Sequence, residues 1–374
     1  MYCCPICKTS EKRYIGVLKN QQYCRRCVTF FDIVKDKYKP PDIVELKLNY
    51  ELTDLQKKLS HQILEAYKNH QNVLINAVCG AGKTELVFDV IKHCLQKGLQ
   101  VGFCVPRKDV VIDLYPRFKN AFPLQKVISV YGNHHDELIG NIIVLTTHQL
   151  YRYEKYFDLL IIDEADAFPY YGNELLNTFF ERSLKGNYIM MSATSIEEME
   201  LKIQKDEGII LYCNKRYHNH PLLVPIIKTF LTGKFIYLIY KLKQYHNKNL
   251  PVLVFVPTID ECESIFQYCK YFVKNGNYVH SKKEDREIIV QDFKNNKYDY
   301  LITTSVLERG VTLKNVQVIV YNADHQLFDK KTLVQIAGRV GRKIDAYDGE
   351  VIYIASYESE AMVESIKHIE QANR

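Results

Sequence analysis

Asn76-Ala-Val-Cys-Gly-Ala-Gly-Lys-Thr84 is the stretch from which the rest of the chain can be read. Before it stands Val73-Leu74-Ile75, a short apolar run with strand character. After it, Leu86, Val87, Val90, Ile91, Cys94 and Leu95 recur at helical spacing until Gly98 stops the pattern. Strand, glycine loop, then helix is the context that makes such a stretch a phosphate-binding loop. Glycines let backbone N–H groups close around phosphate oxygens, and the helix N-terminus adds partial positive charge. Gly80, Ala81 and Gly82 line the loop, Lys83 reaches the β- and γ-phosphates, and Thr84 offers its hydroxyl to Mg²⁺. Ala77 stands where the first glycine of the pattern is usual. The stretch predicts a nucleoside triphosphate site.

The remainder of the 374 residues is enough for two or three domains, each with its own core. Apolar content of 47% and charged content of 25% are those of an ordinary globular chain. No apolar run approaches the ~20 residues of a spanning helix, and Met-Tyr-Cys-Cys-Pro does not begin a signal peptide, so a cytoplasmic protein is expected. The net charge of +6 is concentrated in residues 1–40, which hold nine Lys/Arg against three Asp/Glu. A basic end of this kind suits a polyanionic partner, or equally a solvated surface. Trp is absent and Tyr reaches 28, so any base-stacking surface must use Tyr, Phe or His.

Cys4-Pro-Ile-Cys7 and Cys24-Arg-Arg-Cys27 enclose sixteen residues, the spacing of a four-thiolate zinc site with a hairpin between its knuckles. Cys3 adjoins the first ligand and offers a substitute for Cys4. A redox pair is the other reading, although neither C-x-x-C lies in a βαβ pattern. The remaining cysteines, at 79, 94, 104, 213, 262 and 269, are scattered and read as buried small side chains.

Lys39-Pro40-Pro41 marks a first boundary. Beyond it, strand-like runs alternate with helical segments in two sets. The first set is 73–77, 101–105, 142–145, 157–162 and 188–191; the second is 252–256, 278–280, 300–303, 316–320 and 351–354. Alternation of this kind predicts α/β domains with parallel sheets covered on both faces. The expected division is 1–40, 41–215 and 216–374, with the hinge at Arg216-Tyr-His-Asn-His-Pro221.

Eighty residues after Lys83, the run Phe157–Ile162 ends in Asp163-Glu164-Ala165-Asp166. A strand that delivers adjacent carboxylates suits Asp163 to Mg²⁺ and Glu164 to activating water. Another strand ends in Ser192-Ala193-Thr194, whose hydroxyls could couple the nucleotide to its surroundings. In Gln335-Ile-Ala-Gly-Arg-Val-Gly-Arg342, Arg339 and Arg342 fall on one face of a helical turn, as arginine fingers would.

The ordered set A-x-x-G-x-G-K-T, D-E-A-D, S-A-T, Thr303-Thr304-Ser-Val-Leu-Glu-Arg-Gly310 and Q-x-x-G-R-x-G-R resembles the motif series of superfamily 2 helicases. The resemblance spans most of residues 50–345. It implies two RecA-like domains, ATP and Mg²⁺ between them, and nucleic acid across their strand ends. By the same resemblance, Gln56 reads adenine, and Pro106, Arg107, Thr147, Pro257, Thr258 and Thr304 grip a nucleic-acid backbone. Gly310 lies in a motif at the nucleotide, and Ser192, Thr194 and Gln335 couple the two. Gln335 differs from the His of DEAD-box RNA helicases at that place. Asn296-Lys297-Tyr298-Asp299 is spelled like a guanine-reading motif but precedes a strand, so ATP is retained. The leading cysteine module, A-V-x-G-A-G-K-T-E, D-E-x-D-A-F-P and the Arg216-Tyr-His hinge are similar to the ComFA family of competence ATPases. That implies a single-stranded DNA helicase or translocase at the inner face of the cytoplasmic membrane, with ComFC and a DNA-uptake channel as partners and Zn²⁺ as a further cofactor. A general RNA or DNA helicase, for remodelling or replication restart, is the alternative.

Overall fold

The computed structural model describes residues 2–18, 21–27, 33–40, 43–78, 80–193, 196–218, 220–307, 314–342 and 346–373. They form two compact units, one of residues 1–77 and 82–213, the other of residues 78–81 and 214–374. Among the described residues no helix is long and apolar enough to cross a membrane.

In the first unit, β1 (Ile15–Leu18) and β2 (Gln21–Cys24) pair antiparallel between the two cysteine pairs, with Ile15 opposite Cys24. After an irregular stretch come α1 (Asp54–Lys68), β3 (Val73–Ala77), α2 (Lys83–Leu86), α3 (Phe88–Gln96), β4 (Val101–Val105) and α4 (Lys108–Ala121). Then follow β5 (Val127–Val130), β6 (Ile142–Thr146), β7 (Phe157–Ile162), α5 (Glu174–Ser183), β8 (Leu184–Ser192), α6 (Glu197–Lys205) and β9 (Ile209–Cys213). The seven strands from β3 to β9 make one sheet in the order β5-β6-β4-β7-β8-β3-β9, parallel throughout. Its central strands are buried along their whole length, as parallel strands covered on both faces must be. Phe88, Phe103, Phe118 and Phe122 interlock edge-on and tilted beneath α3 and α4.

The cysteine module is part of this unit's core. Cys4, Cys7, Cys24, Cys27 and Val34 pack with Tyr151, Tyr153, Phe179 and Phe180 on the sheet face that α5 covers. From Val34 the chain runs as a strap past the N-terminal ends of four neighbouring strands. Val34 N–H donates to the Arg152 carbonyl at 2.8 Å, ahead of β7, and Gln100 reaches the Tyr38 carbonyl at 3.5 Å, ahead of β4. Asn141 donates to the Lys39 carbonyl at 3.2 Å, ahead of β6, and Gln125 to the Ile43 carbonyl at 2.7 Å, ahead of β5. The Gln100, Asn141 and Gln125 side chains satisfy carbonyls of this segment, whose described residues pair with a strand-like neighbour only at the Val34–Tyr153 bridge.

The second unit holds β10 (Ile226–Thr229), α7 (Lys234–His246), β11 (Val252–Phe255), α8 (Ile259–Phe272), β12 (Gly276–Val279), α9 (Arg286–Lys294), β13 (Tyr300–Thr303), β14 (Gln317–Tyr321), α10 (Lys330–Ala337), β15 (Val351–Ala355) and α11 (Glu360–Ala372). Its sheet runs β10-β15-β14-β11-β13-β12, again all parallel. Two buried clusters cover its faces, one under α9, α10 and α11, the other under α7 and α8. The architecture is the expected pair of parallel α/β sheets.

Candidate nucleotide and nucleic-acid site

Parallel strands present all their C-terminal ends on one edge, and in the first unit three adjacent strands carry the nucleotide motifs there. β3 leads into the glycine loop, β7 into Asp163, and β8, which lies between them, ends in Ser192. Asn76 of β3 is in register with Ser192. The Lys83 ammonium stands 3.6 Å from Asp163 Oδ1, so the loop lysine and the strand-end carboxylate face each other. Thr84 and Asp163 are both buried, which suits a hydroxyl and a carboxylate meant for a small, dehydration-resistant cation. These are oxygen donors beside an ammonium, the chemistry that MgATP requires.

Gly82 caps α2 in a left-handed conformation, φ +75°, and a Cβ there would lie 2.4 Å from the Gln56 amide nitrogen. The backbone conformation therefore favours glycine, and a side chain there would also displace the end of Gln56. Gln56 reaches this place from the first turn of α1, where it and Thr53 form a reciprocal capping box. The capping box holds the Gln56 side chain beside Gly82 of the loop.

Sequence reasoning missed the support beneath the loop. Glu85, which directly follows the G-K-T, is buried and accepts from Arg117 at 2.6 Å and from the Tyr50 hydroxyl at 3.0 Å. Burial, and then the neighbouring carboxylate, push the Tyr50 phenol well above its ordinary pKa, so it stays a donor. In the sequence it shows as the glutamate that closes A-V-x-G-A-G-K-T-E, with nothing to name its partners.

The positions expected to grip nucleic acid also sit at strand ends. Pro106 and Arg107 follow β4, Thr147 follows β6, Pro257 and Thr258 follow β11, and Thr304 follows β13. β4 neighbours β6, and β11 neighbours β13, so each unit groups its own set. Thr147 departs from the expected side-chain role: it is fully buried, and His148 is the exposed residue beside it. Thr258 spends its hydroxyl oxygen accepting from Glu261 N–H at the start of α8. Thr304 is nearly buried. Main-chain groups are thus the better-placed contacts on this edge. Thr194 and Gly310 lie outside the described residues.

In the second unit Gln335 is buried within α10, and Arg339 and Arg342 follow in the turn that ends it. Arg339 is 3% exposed. Arg342 is half-buried, and its Nε donates to the Gly338 carbonyl at 2.8 Å.

The four N-terminal thiols converge, all sulfurs within 4.8 Å of one another, with Cys7 and Cys24 at 3.6 Å and Cys7 N–H donating to Cys4 sulfur at 3.5 Å. Four sulfurs ~2.3 Å from a common centre would be spaced in this way, so the set fits tetrahedral zinc. Cys3 is exposed and turned to the Lys8 carbonyl, so Cys4 is the member of the set. Burial pushes the Cys94, Cys262 and Cys269 thiols up to about 12, as inert core side chains. Cys79 lies outside the described residues.

Comparison with known proteins agrees with this geometry. Residues 49–197 match the model for the type III restriction enzyme res subunit, and residues 233–343 match the helicase conserved C-terminal domain. The competence protein ComFA of Bacillus subtilis is 33% identical over all of this chain and 86% of its own length. The chain belongs to the ComFA family. Competence protein ComFA of Streptococcus pneumoniae is likewise 33% identical, over 99% of this chain and 90% of its own. S. cerevisiae Dbp5 bound to RNA and ADP BeF3 has the same fold, with a TM-score of 0.63 at 16% identity, covering 86% of this chain and 92% of that one. Mycobacterium smegmatis helicase Lhr superposes with a TM-score of 0.64, over 86% of this chain and 50% of its own. A ComFA-family chain with these two domains is an ATP-hydrolysing superfamily 2 helicase, and its ligands are ATP and nucleic acid.

Proposed function

We propose that this ComFA-family helicase is an ATP-driven single-stranded DNA translocase that powers DNA uptake across the cytoplasmic membrane in natural transformation. The observation that supports the reading most is the Lys83–Asp163 pair, at the ends of two strands that flank β8, in a chain similar along its full length to two competence proteins. In this reading Lys83 and Thr84 hold the triphosphate and its Mg²⁺ with Asp163, Glu164 activates water, and Gln56 reads the base. Arg339 and Arg342 bring positive charge to the γ-phosphate. Ser192, Thr194 and Gln335 couple this chemistry to the strand-end grip at Pro106, Arg107, Pro257, Thr258 and Thr304. The protein works at the inner membrane face with ComFC and the uptake channel.

The test is steady-state ATP hydrolysis against single-stranded DNA, duplex DNA and RNA of equal length. Single-stranded DNA is expected to stimulate turnover at least severalfold above the other two. Equal or stronger stimulation by RNA, lost on removing the 2′-OH, would make the enzyme an RNA remodeller. A rate indifferent to every polymer would end the motor reading.

Zn²⁺ at Cys4, Cys7, Cys24 and Cys27 completes the proposal. Replacing Cys24 and Cys27 by serine is expected to remove one zinc per chain, read by elemental analysis. Because those thiols belong to the core of the first unit, its melting temperature should fall by several degrees, ~2–4 °C for each kcal/mol lost at this size. Unchanged melting with the metal gone would show that the module is a passenger. DNA affinity measured on the same variant decides whether the Arg13, Arg25 and Arg26 face meets DNA or a partner protein.

A further inference from the structure

Three consecutive side chains of the segment after β9 close on three consecutive carbonyls of the arginine-bearing turn. The Arg216 guanidinium donates to the Gly341 carbonyl at 2.7 Å and to the Val340 carbonyl at 3.1 Å. The Tyr217 hydroxyl donates to the Arg342 carbonyl at 2.9 Å, and His218 Nε2 lies 3.0 Å from the Gly341 carbonyl. Arg216 is 3% exposed and His218 8%, so these bonds are made out of water, where an unmet carbonyl is costly. They answer a specific need. The chain past the end of α10 has carbonyls that no helix or strand pairs, and Arg339 and Arg342 hang from that stretch.

The cage admits little slack. Gly341 is left-handed at φ +67°, and a Cβ on it would sit 2.4 Å from the Tyr347 carbonyl and 3.1 Å from an Arg216 nitrogen. The Tyr347 ring in turn stacks on His220 at 3.7 Å, nearly parallel. The partners also fix the His218 tautomer. A carbonyl only accepts, so Nε2 carries the proton; His220 N–H, 3.2 Å from Nδ1, only donates, so Nδ1 keeps its lone pair. His218 is neutral with both ring nitrogens engaged. Burial first, and the Arg216 charge second, hold its pKa below the usual value, in keeping with that state.

We propose that Arg216, Tyr217 and His218 are positioning residues for ATP hydrolysis, acting by holding the Val340–Arg342 backbone so that Arg339 and Arg342 present their guanidiniums in one fixed arrangement. The inference rests on the reading of those two arginines as γ-phosphate ligands. It goes beyond it by moving part of the control of turnover to the Arg216-Tyr-His segment, to which the motif series assigns no chemistry. The segment begins three residues after Cys213, the last residue of β9, and lies with the arginine turn in the second unit.

The experiment measures kcat, KM and the affinity for a fluorescent ATP analogue in Arg216→Ala, Tyr217→Phe, His218→Phe and His218→Gln, with Arg339→Ala alongside. Misplacing catalytic groups by about an ångström costs up to ~100-fold. Arg216→Ala is therefore expected to lower kcat by roughly 10- to 100-fold with nucleotide affinity within threefold. His218→Phe should lower kcat severalfold, and His218→Gln, which can both donate and accept, should restore most of it. Tyr217→Phe, the mildest change, should still lower kcat about twofold or more and decides the matter if Arg216→Ala does not fold. Unchanged kcat in Arg216→Ala, or in both Tyr217→Phe and His218→Phe, overturns the proposal. So does a loss that tracks melting temperature and is equal in His218→Gln and His218→Phe, since that marks a purely structural contact. If Arg339→Ala itself keeps full turnover, the finger reading fails instead, whatever the Arg216 result.

Discussion

Changing Glu164 to glutamine is expected to leave ATP bound while lowering turnover about 10²–10⁴-fold, the range a positioned general base supplies. The backbone around Glu164 is held from both sides. Asp163 N–H donates to the Cys104 carbonyl at 3.0 Å, and Ala165 N–H to the Met191 carbonyl at 3.1 Å. Between them Glu164 adopts φ +54°, a left-handed conformation that costs a non-glycine residue ~1–3 kcal/mol and survives only where the surroundings dictate it. Its own N–H donates to Asp163 Oδ1 at 2.8 Å, and its carbonyl accepts from Ala167 at 2.8 Å. Glutamine keeps the length of the side chain and every one of these main-chain bonds, so the backbone stays in place while the carboxylate is lost. Lys83→Ala has a different signature. It strips Asp163 of its ion-pair partner 3.6 Å away and should abolish nucleotide binding along with turnover. Filter binding of labelled ATP beside single-turnover hydrolysis separates the two, and wild-type turnover in Glu164→Gln would remove the role assigned to that carboxylate.

The second large effect is expected at the arginines. Alanine at Arg339 or Arg342 should reduce kcat by about 10³-fold, the lower end of what an arginine finger contributes, with ATP affinity changed only a few-fold. Lysine at either place should recover little, because an ammonium lacks the planar fork that spans two phosphate oxygens. Arg339 is the more buried of the pair, and Arg342 already spends its Nε on the Gly338 carbonyl. Rapid-quench measurement of the hydrolysis step, beside binding of the same analogue, checks both. If each variant hydrolyses ATP at the parent rate, neither residue reaches the γ-phosphate.

Much of this was legible in advance because parallel strands advertise themselves. Phe157-Asp-Leu-Leu-Ile-Ile162 and Val252-Leu-Val-Phe255 are buried on both faces, and their apolar runs show it. The strands that escaped sequence reading are β5, β9 and β10, each at the edge of a sheet. Edge strands need not be apolar on both sides; β10 is largely exposed, and β5 is only four residues long. β8 starts earlier than its apolar run, at Leu184, because its first residues are exposed while still paired to β7. At the site, motif residues could be named from spacing, since their chemistry demands particular side chains. Their supports could not. The Tyr50–Glu85–Arg117 cluster and the Arg216–His218 cage join residues from 32 to 125 positions apart, and no local pattern encodes such pairings. The burial of Thr147 was hidden for the same reason, since exposure at a strand end depends on what packs over it.

The strap has a consequence for how the chain must be made. Val34, Tyr38, Lys39 and Ile43 emerge from the ribosome before any strand they lie against, and the most distant of those strands in sequence, β7, ends at Ile162. At ~5–20 residues per second, synthesis of that interval lasts roughly 6–24 s. During it the aromatic surface against which the cysteine knuckles pack does not yet exist. The cysteine module is thus synthesised before the surface that seats it and can be anchored only afterwards.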